Sequence, residues 1–290
     1  MMPTDFRFPV RQSLQVRRGG GILVALLLVL GGCGGDSSTS TSSPASGGDS
    51  ASSSTGQSSA GSASATPADD GRLEVGRKLL AEGRISEAMM IFDAVVREHP
   101  DLARANFYKG LALHERKLHS SALDWYEAAA QSEQDFPERT TLPYYMAWSY
   151  YYSGKPAEAQ TQINLFLETT DDRADAHFLA GLVAFNDDDL ENAEISFRRA
   201  LELVQDNPEE EREMARAWIR LSDVLMRQEK LGEALEAAKR ATDLRPALSE
   251  AWFRQYTILM RLGQDEDAEF ARARWKELRA APVLGSDSEP

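Results

Sequence analysis

The chain has 290 residues, 42% of them hydrophobic, with 46 acidic against 32 basic residues and a net charge of −14. Such a surface repels phosphate backbones, whose binding depends on neutralisation by Lys and Arg, so nucleic acid is excluded as a partner class. The single Cys allows no disulfide within the chain.

At the N-terminus, Arg17 and Arg18 precede three glycines and the apolar run Ile22–Leu30. A basic segment followed by a short apolar one is the layout of an export signal. A bilayer crossing needs about 20 apolar residues, so this run is too short to remain as a transmembrane helix. The stretch Leu30-Gly31-Gly32-Cys33 resembles the lipobox of bacterial lipoproteins. That resemblance implies a signal peptide over residues 1–32, cleavage before Cys33 and a diacylglycerol on its thiol. Gly34, in place of the Asp that retains such proteins at the inner membrane, favours the outer membrane facing the periplasm, with the inner membrane as the alternative.

From Gly34 to Ala68 the chain contains only Gly, Asp, Ser, Thr, Pro, Ala and Gln, so residues 33–68 are expected to be a lipidated Cys and a disordered linker. Treated as a flexible coil, this stretch spans roughly 30–35 Å. Residues 1–32 carry four arginines against Asp5, and residues 33–68 carry only two aspartates, which leaves −15 on residues 69–290.

Beyond the linker, Ala88, Ala122, Ala159, Ala193, Ala234 and Ala268 recur, and three of the five intervals between them are 34 residues. Around each Ala, apolar and small residues return at three and four, as in Val75, Gly76, Leu79 and Ala88, Phe92, Val95, which predicts two amphipathic helices with a turn near Gly83. The period and pattern resemble the tetratricopeptide repeat. The resemblance implies an all-α solenoid of six helix-turn-helix repeats over residues 69–282 (69–102, 103–136, 140–173, 174–207, 215–248 and 249–282), followed by a polar tail, 283–290. Position 8, where the paired helices approach most closely, is Gly76, Gly110, Ala147, Gly181 and Ser222, but Tyr256 in the last repeat. Repeat 6 departs most, as suits a terminal unit with one face in water. Before repeat 5, Asn207 and Pro208 predict an N-cap and first helical residue, lengthening that helix by about two turns.

No catalytic constellation emerges, and no enzyme, metal site or cofactor is predicted. His114 and His119 are five residues apart across a turn, where the helical zinc-protease motif needs four. Asp187–Asp189 lack the ligand pattern of a calcium loop and read as a capping turn. Family resemblance assigns positions 2, 5, 9, 12 and 13 of the first helices to a concave groove that receives a protein or peptide. The candidate groove residues are Phe107, Leu111, Tyr144, Trp148, Tyr151, Tyr152, Phe178, Leu182 and Phe185. An aromatic stripe of this kind serves either as a groove or as packing between repeats, and both readings stand at this point. The functional expectation is a lipid-anchored adaptor supporting assembly in the envelope. A cell-wall glycan-binding protein or a pilotin-like assembly factor are the alternatives.

Overall fold

The computed structural model describes residues 66–204 and 211–280; the lipobox, the linker before Thr66, Asn207 and Pro208, and the tail lie outside them. Among the described residues there are twelve α-helices and no strand. They form six hairpins: α1 (Pro67–Ala81) with α2 (Ile85–Glu98), α3 (Ala103–Glu115) with α4 (His119–Gln131), and α5 (Leu142–Tyr152) with α6 (Pro156–Leu167). The remaining pairs are α7 (Ala174–Asn186) with α8 (Leu190–Val204), α9 (Glu211–Arg227) with α10 (Leu231–Leu244), and α11 (Ser249–Leu262) with α12 (Asp265–Ala280). Helix α1 starts two residues inside the stretch read as linker. Thr66 and Asp69 form a capping box, each side chain accepting from the other's backbone N–H at 3.2 Å, and Pro67 takes the first turn.

All six hairpins turn in the same way. At repeat position 15 the backbone is left-handed: Gly83, Gly154 and Gly263 supply it in three repeats, and Lys117, Asp188 and Glu229 in the others, with φ between 61° and 76°. The next N–H then reaches back to the carbonyl five residues earlier, as from Arg84 to Leu79 at 2.9 Å and from Lys230 to Leu225 at 2.9 Å. These are Schellman closures, which satisfy first-helix carbonyls and reverse the chain within three residues.

The two helices then meet at positions 8 and 24. A Cβ placed on Gly76 would lie 2.3 Å from the Phe92 ring, one on Gly110 2.6 Å from Tyr126, and one on Gly181 2.7 Å from Phe197. Each ring therefore lies directly on the opposing backbone, and all three are fully buried. Where position 8 is larger the partner shrinks, to Ile163 opposite Ala147 and Ala238 opposite Ser222. The Ala that marks the period at position 20 is likewise fully buried in every repeat.

Hairpins stack in chain order, each second helix against the next first helix, and successive first helices also touch, which makes them one continuous row. Repeat 6 ends the stack differently. Tyr256 lies 6.5 Å from Trp275 with the rings 8° from parallel; Arg272 sits 5.9 Å from the Tyr256 ring and Arg279 5.6 Å from Trp275. Tyr256 thus takes the place of the small residue at position 8, and the rings of Tyr256 and Trp275 are lidded with guanidinium groups, which keeps one side of the terminal unit compatible with water.

The shared turn makes a direct prediction. A non-Gly residue in the left-handed region costs roughly 1–2 kcal/mol, partly offset in Gly by the entropy of the unfolded chain. Lys117→Gly and Glu229→Gly are each expected to raise stability by up to about 1 kcal/mol, whereas Gly154→Val lowers it. Urea unfolding checks all three, and stabilisation by the valine would show that the turn is not under this constraint.

Candidate functional site

The first-helix row carries the candidate groove, and the helical repeat angle decides which residues can line it. At about 100° per residue, position 5 lies only roughly 60° from position 8 and therefore flanks the contact with the second helix. Phe107, Tyr144 and Phe178 occupy position 5 and are buried. Their rings lie 6.0 Å from Tyr126, 5.3 Å from Phe166 and 5.5 Å from Phe197, all on the second helix of the same repeat. These three rings therefore pack within their own hairpins. Leu111, Trp148 and Leu182, at position 9, are also closed to solvent, with 4, 4 and 7% of their surface exposed. Tyr151 and Phe185 are half-buried and Tyr152 is 39% exposed, so the open part of the stripe is narrower than the nine residues expected.

Tyr152 is held from behind. Its ring is nearly parallel to Trp148 at 5.4 Å and to His119 at 4.5 Å, and Tyr151 meets it edge-on at 5.5 Å. Helical spacing explains the first contact, since residues four apart share a face. The second depends on the left-handed turn at Lys117, which folds α4 back so that His119 faces α5. The same turn brings the His114 and His119 rings to 4.7 Å, although their spacing in sequence does not fit the helical zinc-protease motif. His114 Nδ1 and the Ser149 hydroxyl lie 2.9 Å apart, and His119 Nδ1 is buried without a hydrogen-bond partner among the described residues. Burial pushes the Tyr152 hydroxyl up to about 12, so it stays a neutral donor at physiological pH. Beside the patch, Arg227 lies 4.7 Å from the Phe185 ring.

Charged groups flank this aromatic middle, and they are paired with one another. Arg104 bonds Asp70 at 2.9 Å, Glu74 at 2.6 Å and Glu138 at 2.8 Å, and Tyr108 donates to the same Glu138 at 2.5 Å. Glu138 holds the Arg104 guanidinium above its ordinary pKa. Towards the other end, Asp223 takes both Arg220, at 3.2 Å, and Arg254. Arg104 occupies repeat position 2, one of the positions assigned to the groove, and its partners were not foreseen from the sequence. The available clue was Asp70, of opposite charge and also at repeat position 2.

Among the described residues one group has the donor types of a metal site: Asp69, Glu98 and His99, whose ligand atoms lie within 4.8 Å of one another. Its carboxylates are already engaged, Asp69 by Thr66 and Glu98 by Arg72 at 2.5 Å. The hydrogen bond from Thr66 is the main reason that the Asp69 carboxyl is held below its usual range. The cluster ties the start of α1 to the end of α2 and acts as a cap.

Tetratricopeptide-repeat profiles match residues 73–136, 144–208 and 215–248, more than half of the chain. The chain belongs to the tetratricopeptide-repeat family. No curated protein matches it. Among solved structures it is similar to PilW, a type IV pilus biogenesis factor, at 15% identity and a TM-score of 0.62, over 76% of this chain and 97% of that one. PilF of Pseudomonas aeruginosa gives 15% identity and a TM-score of 0.58 over 74% of this chain and 94% of PilF. YrrB, a repeat protein with an unusual peptide-binding site, gives 19% and 0.53 over 62% and 88%. A chain of the Cut9–Hcn1 complex gives 18% and 0.58, and there the match spans only 40% of the larger protein. At these identities the likeness is one of fold.

Within this tetratricopeptide solenoid the histidine pair generates a pH prediction. Burial, helped by the neighbouring His119, lowers the His114 imidazole to about 3, and burial lowers His119 as well. Unfolded, both titrate near 6.5, so from pH 6.5 down towards 3 the unfolded chain binds more protons and stability falls as pH drops. The expected loss between pH 7 and pH 5 attributable to His114 is about 1–2 kcal/mol, since each pH unit is worth at most about 1.4 kcal/mol per group. Urea unfolding at pH 7, 6 and 5 should show a flatter profile for His114→Gln. Parallel profiles for variant and wild type would remove His114 from the account.

Proposed function

We propose that this chain is a membrane-anchored adaptor of the cell envelope, which binds a protein or peptide segment along its first-helix row. The observation that carries the reading is the Tyr152 patch: an exposed ring fixed by Trp148 and His119, with Tyr151 and Phe185 beside it. Aromatic anchors held in one rotamer lose little entropy on binding and commonly dominate interface energetics. Tetratricopeptide proteins in general are protein-interaction scaffolds, and such a scaffold needs no catalytic group. Anchoring is supported by Leu30-Gly31-Gly32-Cys33, since two or more acyl chains hold a protein durably on a membrane. A narrower role in pilus assembly draws support from the near-complete coverage of PilF and PilW by this fold.

Two measurements test this. The wild-type chain is expected to partition into detergent and to carry an acylated N-terminal Cys33 by mass spectrometry, and Cys33→Ser is expected to do neither; an unmodified wild type would refute the anchor. For the groove, a photoreactive phenylalanine at position 152 should crosslink a protein in intact envelopes, while the same group at exposed Leu165 should not. Tyr151→Ala with Tyr152→Ala should then weaken that partner at least a hundredfold, at about 2 kcal/mol per truncated anchor, with the melting temperature nearly unchanged. Unchanged affinity in the double variant would overturn the groove.

A further inference from the structure

Helix α12 carries an unusual combination of exposed surface and charge. Phe270, in its second turn, is 62% exposed, and it touches only one ring among the described residues, meeting Trp252 edge-on at 6.0 Å. The end of the solenoid is sealed by guanidinium groups over Tyr256 and Trp275, whereas Phe270 keeps most of its ring exposed, turned away from the buried Ala268. The charges of the helix divide around it. Asp265, Glu266, Asp267 and Glu269 precede it, while Arg272, Arg274, Lys276 and Arg279 follow, opposed only by Glu277.

We propose that the occupant of this face is a second copy of the chain, joined by antiparallel pairing of the two α12 helices about a two-fold axis near Phe270. A two-fold interface must be complementary to itself, and a helix acidic before Phe270 and basic after it is so only when paired antiparallel. Asp267 and Arg274 are seven residues apart, two turns of helix, and therefore lie on the same flank beside Phe270. In an antiparallel two-fold pair residues of one flank face each other, which sets Asp267 of each copy opposite Arg274 of the other. Arg274 bonds Glu277 of its own chain at 2.6 Å and lies 5.9 Å from the Trp252 ring, so its guanidinium is already held beside Phe270. The apolar centre is small, so the association is expected in the micromolar range, at the weak end of specific interfaces. The charge of −15 on residues 69–290 opposes it at long range, and salt near 0.15 M, with a screening length of about 8 Å, leaves the close pairs intact.

Sedimentation of the full chain in detergent at that salt concentration tests the proposal. A monomer–dimer equilibrium is expected, weakened at least thirtyfold by Phe270→Asp. Asp267→Lys and Arg274→Glu should each behave as monomers, because each sets like charges against one another across the axis. An equimolar mixture of these two variants should dimerise again, since both pairs across the axis then have opposite charges. That rescue separates interface loss from misfolding. A wild type that stays monomeric to about 100 µM, a dimer that survives Phe270→Asp, or a mixture that fails to recombine would each overturn the proposal.

Discussion

The contact on which the structure depends is that of an aromatic ring with bare backbone. Phe92, Tyr126 and Phe197 lie against Gly76, Gly110 and Gly181 so closely that a single added carbon would collide with them. This approach draws the paired helices together, and the left-handed residue at position 15 allows it by reversing the chain in the fewest residues. With both fixed, the orientation of every first-helix residue follows from its angular distance to position 8. Interiors at near-crystalline density leave no freedom to exchange a small residue for a larger one unless the partner changes too. The pairs Ala147 with Ile163 and Ser222 with Ala238 show that exchange within one molecule.

The repeat architecture was legible in the sequence because it is written six times over. The Ala at position 20 in every copy and the small residue at position 8 in five of them serve the same contact, so noise in one repeat is averaged by the others. Features occurring once were harder to read. Thr66 caps α1 from within a Ser- and Thr-rich stretch in which any hydroxyl residue looks equally suited. Lys117, Asp188 and Glu229 adopt a conformation for which Gly is the usual marker, so the turns near Lys117 and Asp188 were legible as turns but not as the left-handed one they share with Gly83.

The candidate site was legible in part. Assigning five first-helix positions to the groove treats a face as wide as the family pattern allows, whereas large aromatics at position 5 turn towards the second helix because burying a ring there removes more apolar surface from water. Phe107 takes that course, with Tyr126 and Phe136 around it. The stacking of Tyr152 on His119 lay beyond sequence reasoning for a different reason. It joins two helices through a turn whose geometry is set by Lys117, and nothing in the spacing of the two residues indicates that their rings are parallel.

On the proposed adaptor reading, the distribution of charge along the first-helix row gives the patch its role. Arg104, Asp223 and their partners saturate one another, so a ligand touching them must displace bonds already made and bears the cost of desolvating ions in return for little. The Tyr152 patch has no such prior commitment on its exposed edge, and covering it removes apolar surface from water. Binding energy should therefore concentrate in repeats 3 and 4, while the ion-paired ends discriminate against segments whose charges fail to match. A partner whose apolar stretch is no longer than two repeats, with polar residues on either side, fits that division better than one that is apolar throughout.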